Sequence, residues 1–370
     1  MNITFLIGNG FDIRMGLASS YKAAVKKYVS IPSDDPDICA FKSRMVNDCE
    51  YWSDFELAMG KYTREFDSDK QSVYIKCIND FNVELTNYLM AEEKRISYEL
   101  CNREIKSVFS DSIINFLTDF DYSQAHKSRI FSAISGIRDN IYFRFISFNY
   151  TNILCNCLSA TFKSSSMVSN HTVSGISYGH FVNNDVIYVH GKFPSQIILG
   201  VDNDAQILNK DWAKDRRFCN AIIKPKINQR AGRIDDAEAK KAIDNSCVIC
   251  IFGMSLGETD VTWWDYIGKW LKKGEHRLII FVYNPDVSNT LPFPARFDIE
   301  DEYVDLFFRL SNIDGKEYDQ LRDRIFVVIN SKLFDINLVK ISEEAQEELL
   351  SEDTEKLPAD QPSLMPALPA

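Results

Sequence analysis

Ile3-Thr4-Phe5-Leu6-Ile7-Gly8-Asn9-Gly10-Phe11-Asp12 is the stretch that decides how the rest of the chain is read. An apolar run stops at a glycine turn, and a large apolar residue and a carboxylate follow. A short, unalternating apolar run fits a strand covered on both faces. The two glycines permit positive φ and let backbone amides approach a ligand. The stretch fails both common phosphate fingerprints, since Ile13 stands where the dinucleotide motif needs a third glycine and no G-K-[ST] follows. Asp12 is an acid where a pure phosphate cradle would avoid one. It suits a ribose hydroxyl, or only the cap of the following turn.

Runs of the same kind recur at Phe143–Phe148, Val186–Val189, Gln196–Gly200, Cys247–Phe252, Arg277–Tyr283 and Ile325–Ile329. Helical patterns alternate with them at Tyr150–Phe162, Asp260–Leu271 and Lys316–Arg322. This alternation predicts a Rossmann-like, doubly wound α/β fold with a mostly parallel sheet. Residues 18–140 read differently, with helical patterns at Ser53–Phe66, Ser72–Glu93, Tyr98–Phe116 and Gln124–Ile137 and little strand. They are expected to form a large helical insertion, or cap, after the first strand. The α/β core would then be 1–17 and 141–335. Ser164–Asn184 reads as a loop, and 341–370, acidic and then rich in Pro and Ala, as a flexible tail.

The chain has 370 residues, about two domains' worth, and a net charge of −11. That balance argues against a nucleic-acid partner, which calls for a basic face. No apolar run approaches the ~20 residues of a membrane span. The nine cysteines are an odd number scattered over a large chain, which fits a reducing cytoplasm and core packing. Cys247 and Cys250, three apart on a strand, point to opposite faces and cannot share a metal, so no metal site is expected.

Four stretches fall at the ends of expected strands, where open α/β sheets bind ligands. Gly8, Asn9, Gly10 and Phe11, with Asp12, form the first. Asn149, in Ser147-Phe148-Asn149-Tyr150-Thr151, either binds a ligand or caps the next helix. His190, before Gly191, either works as a general base or is structural. Gly253, Ser255 and Asp260 lie in the turn Phe252–Asp260, where Asp260 could equally complement a helix dipole. Trp263 and Trp264, next along, read as helix packing against the sheet. Asp54 and Glu56 are two apart, so they do not share a helix face; a solvated face is the expected reading, with one of them at most reaching the site.

Together GNGFDIRMGLASSY, WSDFE, SFNYT, YVHGK and FGMSLGETD resemble the AbiH family of phage abortive-infection proteins, from the first strand to about Asp265. The motif order is also similar, more distantly, to that of sirtuins and sirtuin-like NAD hydrolases. That likeness sets Asn149 beside the family's strand-end Asn, with Thr151 where Asp is usual, His190 beside its catalytic His, and Gly253–Ser255 beside its late G-x-S. The four-cysteine zinc module of the protein deacylases has no counterpart. The resemblance implies NAD, as substrate or ligand, with Gly8, Asn9 and Gly10 on phosphate, Asn149 placing water or ribose, His190 as base and Asp12 stabilising developing positive charge. The alternative is a nucleotide sensor without chemistry, or a partner-dependent toxin. A phage-derived trigger and a homo-oligomer are partners this defence role admits.

Overall fold

The protein is described from a computed structural model, over residues 1–47, 52, 54–116, 137–163, 166–287 and 292–355. In chain order the strands are β1 (Asn2–Ile7), β2 (Ile141–Ser147), β3 (Met167–Val173), β4 (Ile176–Val182), β5 (Ile187–Tyr188), β6 (Val248–Phe252), β7 (Arg277–Val282) and β8 (Ile325–Ile329). They make one sheet in the order β3-β4-β2-β1-β6-β7-β8, with β5 continuing beside the end of β2. Every pairing is parallel except β3 with β4. This is an α/β architecture with a mostly parallel sheet.

The apolar runs become central strands because both faces are covered. Along β6 and β8 every residue is buried. One face packs on Phe11, Ile105, Phe109, Leu154 and Phe334, the other on Ile243, Trp263, Trp264, Ile267 and Phe307. The tandem tryptophans are core residues, and the Trp264 indole donates to the Gly257 carbonyl at 2.8 Å. β1 sits at the switch point, with β2 on one side and β6 on the other, so the Gly8 turn emerges where connections leave the sheet in both directions.

The structure departs from the expectations in four places. Ser164–Asn184 contains the β3–β4 hairpin, turning at Ser174-Gly175 with φ of 51° and 82°. Two central residues at positive φ match a type I′ turn, whose twist suits a hairpin. Gln196–Gly200 is not a strand. Its Ile197 and Leu199 join a third cluster with Phe55, Tyr74 and Phe81 of the inserted helices, so that segment packs on the insertion and not in the sheet. Phe218, Ile222 and Ile223 belong to the same cluster, whereas Ile105 and Phe109, on the helix Asn102–Ile114 inside the expected cap, cover the sheet. Finally, Leu338–Glu355 is a helix anchored by buried Leu338, Val339 and Ser342, so the expected tail starts inside an ordered element; its glutamates at 343, 344, 347 and 348 lie on the exposed side. The helical pattern 124–136 and the segment 356–370 lie outside the described residues.

The turns after β1 and β6 press backbone on backbone. The Gly10 amide donates to the Gly253 carbonyl at 2.7 Å, and a Cβ on Gly10 would sit 2.8 Å from the Gly253 Cα. At Gly253, φ is +68° and a Cβ would meet the Phe11 nitrogen at 2.5 Å. Replacing Gly253 by Ala combines a left-handed backbone with a collision that no side-chain movement relieves. Gly253→Ala is expected to cost about 1–3 kcal/mol or more, read as a clear fall in Tm. Gly274→Ala, whose Cβ meets nothing nearer than 3.4 Å, should melt close to the parent.

Candidate active site

The glycine turn is already satisfied by protein. The Gly8 amide donates to the Phe252 carbonyl at 2.9 Å, that of Gly10 to Gly253, and that of Phe11 to the Gly8 carbonyl at 2.9 Å. Phe11 is fully buried, edge-on to Phe109 and Phe334, and so belongs to the core. The Asn9 side chain is tied to the Ser19 carbonyl at 3.0 Å. The smallness of Gly8 and Gly10 is therefore accounted for by the close approach of the β6 turn. Ser255, in that turn, is exposed.

Asp12 faces inward. It is 2 % exposed; Oδ1 accepts from the Asn149 amide at 2.9 Å and Oδ2 from the Thr151 hydroxyl at 2.8 Å. The second Asn149 N–H goes to the Gly8 carbonyl at 3.1 Å. With both amide hydrogens committed to acceptors, the Asn149 carbonyl oxygen is the group left for a ligand. Asp12 thus holds Asn149 in one orientation, with both of its oxygens engaged by protein. Thr151, where the sirtuin pattern has an acid, supplies the donor that Asp12 needs. Asn149 precedes the helix Ile153–Thr161 by several residues and is not its cap.

A second constellation is only half visible in the sequence. His190 ends the segment after β5 and is 5 % exposed, edge-on to Phe148 with ring centroids 5.3 Å apart. Its Nε2 lies 3.3 Å from Asp260 Oδ1. Asp260 Oδ1 also accepts from Lys224 Nζ at 3.0 Å, and Lys224 Nζ donates to Glu56 Oε2 at 2.9 Å. Asp260 stands at the start of the helix Val261–Lys272 but makes no side-chain cap, so its carboxylate serves this chain of charges. Glu56 is buried, which corrects the solvated face expected for it, while Asp54 caps the helix Phe55–Tyr62 through the Leu57 amide. Lys224 belongs to none of the sequence motifs. It opens the helix Lys224–Arg230, where a cation opposes the helix dipole, and that misfit is the one local signal it gives.

Burial alone would raise Asp260, but Lys224 and His190 outweigh it and hold the carboxyl well below its usual range. Burial likewise works against charge on Lys224, and Asp260 and Glu56 reverse it and hold the ammonium on. Burial pushes Glu56 up, against the pull of Lys224. An ionised Asp260 can only accept, so Nε2 of His190 carries a proton, and in the neutral tautomer the lone pair is then on Nδ1. Nδ1 is buried with no hydrogen-bond partner. The arrangement is an imidazole oriented by a carboxylate, with its second nitrogen uncommitted.

Among the described residues no group of three or more His, Cys, Asp or Glu is placed to hold a metal ion. Cys247, just before β6, is exposed, and Cys250, within it, is buried. Nor is any described helix long and apolar enough to cross a membrane. His171 and His180 pair across the β3–β4 hairpin at 2.9 Å, away from the strand ends; His126 lies outside the described residues.

A family model described as Bacteriophage abortive infection AbiH matches residues 4–282. The chain belongs to the AbiH family. The match runs from within β1 to the end of β7, takes in the inserted helices and both constellations, and places the protein in phage abortive-infection defence. No curated protein matches the chain.

Burial pushes the Asp12 carboxyl up to about 7, against the hydrogen bonds from Thr151 and Asn149 and with help from Glu93. A raised carboxyl keeps its proton in the fold after the unfolded chain has lost its own. Asp12 therefore withdraws stability as pH rises from about 4 through about 7, on the order of 4 kcal/mol in all. Asn at this position mimics the neutral carboxyl, and the Thr151 hydroxyl can reverse its bond. The Tm of Asp12→Asn relative to the parent should thus rise between pH 5 and pH 8. A difference that stays constant with pH would show that Asp12 does not titrate in the fold.

Proposed function

We propose that this AbiH protein acts in phage defence by binding NAD, or a related nucleotide, at the ends of its central strands and hydrolysing the glycosidic bond. The observation that carries the reading is His190, whose Nε2 is held by Asp260 while Nδ1 remains uncommitted. In NAD the bond to break joins C1′ of the ribose to a pyridinium nitrogen. As it breaks, the electron pair returns to that nitrogen, so nicotinamide leaves neutral and needs no general acid. A base that takes the proton of the attacking water completes the balance, giving nicotinamide, ADP-ribose and a protonated His190. The carbonyl oxygen of Asn149, fixed by Asp12 and Gly8, would receive the ribose hydroxyl or the water. Loss of NAD would halt an infected cell, which is the outcome abortive infection requires.

A nucleotide sensor without chemistry is the second reading, and the burial of His190 and the internally bonded glycine turn favour it. The two separate in one assay. Purified full-length protein is incubated with NAD, with and without lysate from phage-infected cells, and free nicotinamide is measured. Hydrolysis predicts release that falls at least about a hundredfold in His190→Ala and in Asn149→Ala, the range expected when a base or a positioning group is lost. Tight nucleotide binding with no release under either condition would establish the sensor instead.

A further inference from the structure

A cavity of about 410 Å³ opens beside the strand ends, lined by Met90, Glu93, Ile96, Tyr98, Asn152 and Phe193, with Lys94 and Pro194 at its margin. That volume falls within the ordinary range for small-molecule sites. Its walls grow out of the two loops that carry the candidate chemistry. Asn152 is three residues beyond Asn149 and Phe193 three beyond His190, and the Phe193 amide donates to the Tyr150 carbonyl at 3.0 Å. The opposite wall is the end of the long helix Gln71–Glu93 and the turn after it.

The lining combines apolar Met90, Ile96 and Phe193 with polar Glu93 and Asn152. Glu93 is fixed there by the Asn152 backbone amide, which donates to Oε2 at 3.0 Å, and burial holds its carboxyl above the ordinary range. A half-buried carboxylate disfavours fatty acids and other anionic tails, and it accepts well from paired hydroxyls.

We propose that this cavity is a nucleoside pocket, taking a planar base between Met90, Ile96 and Phe193 and the paired ribose hydroxyls on Glu93. The exposed Lys94 ammonium at the mouth then meets the phosphate that follows. The assignment deepens the nucleotide reading above and rests on it for its orientation. The base is either that of the reacting nucleoside or the adenine at the other end of the dinucleotide, and the two are separable by experiment.

Isothermal titration of the full chain with nicotinamide riboside, adenosine and ADP-ribose tests it. At least one nucleoside is expected to bind, and which one does identifies the base. Met90→Trp, which fills the cavity, and Glu93→Gln, which keeps its volume, should each weaken that binding about tenfold or more, a loss on the scale of one good contact. Gly274→Ala, in a turn away from the cavity, should bind within about twofold of the parent. Melting curves confirm that each variant is folded, and Glu93→Gln decides if Met90→Trp is not. Absence of binding by all three compounds, or parental affinity in Glu93→Gln, would overturn the pocket. Nucleoside binding without nicotinamide release would sink hydrolysis and keep the pocket. Release with an unchanged KM in both pocket variants would do the reverse.

Discussion

Lys224, buried between Glu56 and Asp260, is the interaction on which the rest of the site depends. Taking an ammonium out of water costs several kcal/mol, and only close carboxylates offset it. Here the two carboxylates come from different parts of the chain. Glu56 belongs to the helices inserted after β1, Asp260 to the turn after β6, and Lys224 to a segment that packs on the insertion. The contact therefore ties the inserted helix Phe55–Tyr62 to the turn after β6 by charge, beside the apolar tie that Ile105 and Phe109 make to the sheet. It also keeps Asp260 ionised, and an ionised Asp260 sets which nitrogen of His190 carries the proton. Such a network is weak evidence for stability, since a removed partner leaves a charge stranded and a well-packed apolar replacement can be neutral. Its value here lies in orienting one imidazole.

The two constellations do different work from either side of the strand ends. On one side Asp12 spends both oxygens on Asn149 and Thr151, which joins the end of β1 to the end of β2 and fixes an amide. On the other side Asp260 fixes an imidazole. Each carboxylate acts through a neighbour and neither lies open to a substrate. The acid that follows the second glycine thus holds the Asn149 amide in place.

The sheet is legible in the sequence because its central strands are buried on both faces. A short, continuous apolar run such as Val248–Phe252 is what a doubly covered parallel strand requires. The hairpin is not legible in this way, because β3, at the sheet edge, and β4 beside it are rich in polar residues and only partly buried, with Asn170 and Ser177 exposed. Val173-Ser174-Gly175-Ile176, a two-residue turn between apolar residues, is its readable sign. Ile197 and Leu199 mislead for the opposite reason: they are buried, but against helices. In the site, glycine, Asn149 and His190 stand out by residue type at strand ends. Glu56 and Lys224 do not, because a lone carboxylate and a lone lysine are usually solvated, and what makes them special is a partner 168 residues away. That pairing is a property of the tertiary fold, and no local pattern encodes it.

The most direct test of the account is a crystal structure of the full-length protein with ADP-ribose bound. The account predicts the ribose at the ends of β2 and β5, with its anomeric hydroxyl within hydrogen-bond reach of His190 Nδ1 and a ribose hydroxyl on the Asn149 carbonyl oxygen. ADP-ribose seated elsewhere on the molecule, with His190 Nδ1 still enclosed by protein alone, would contradict it.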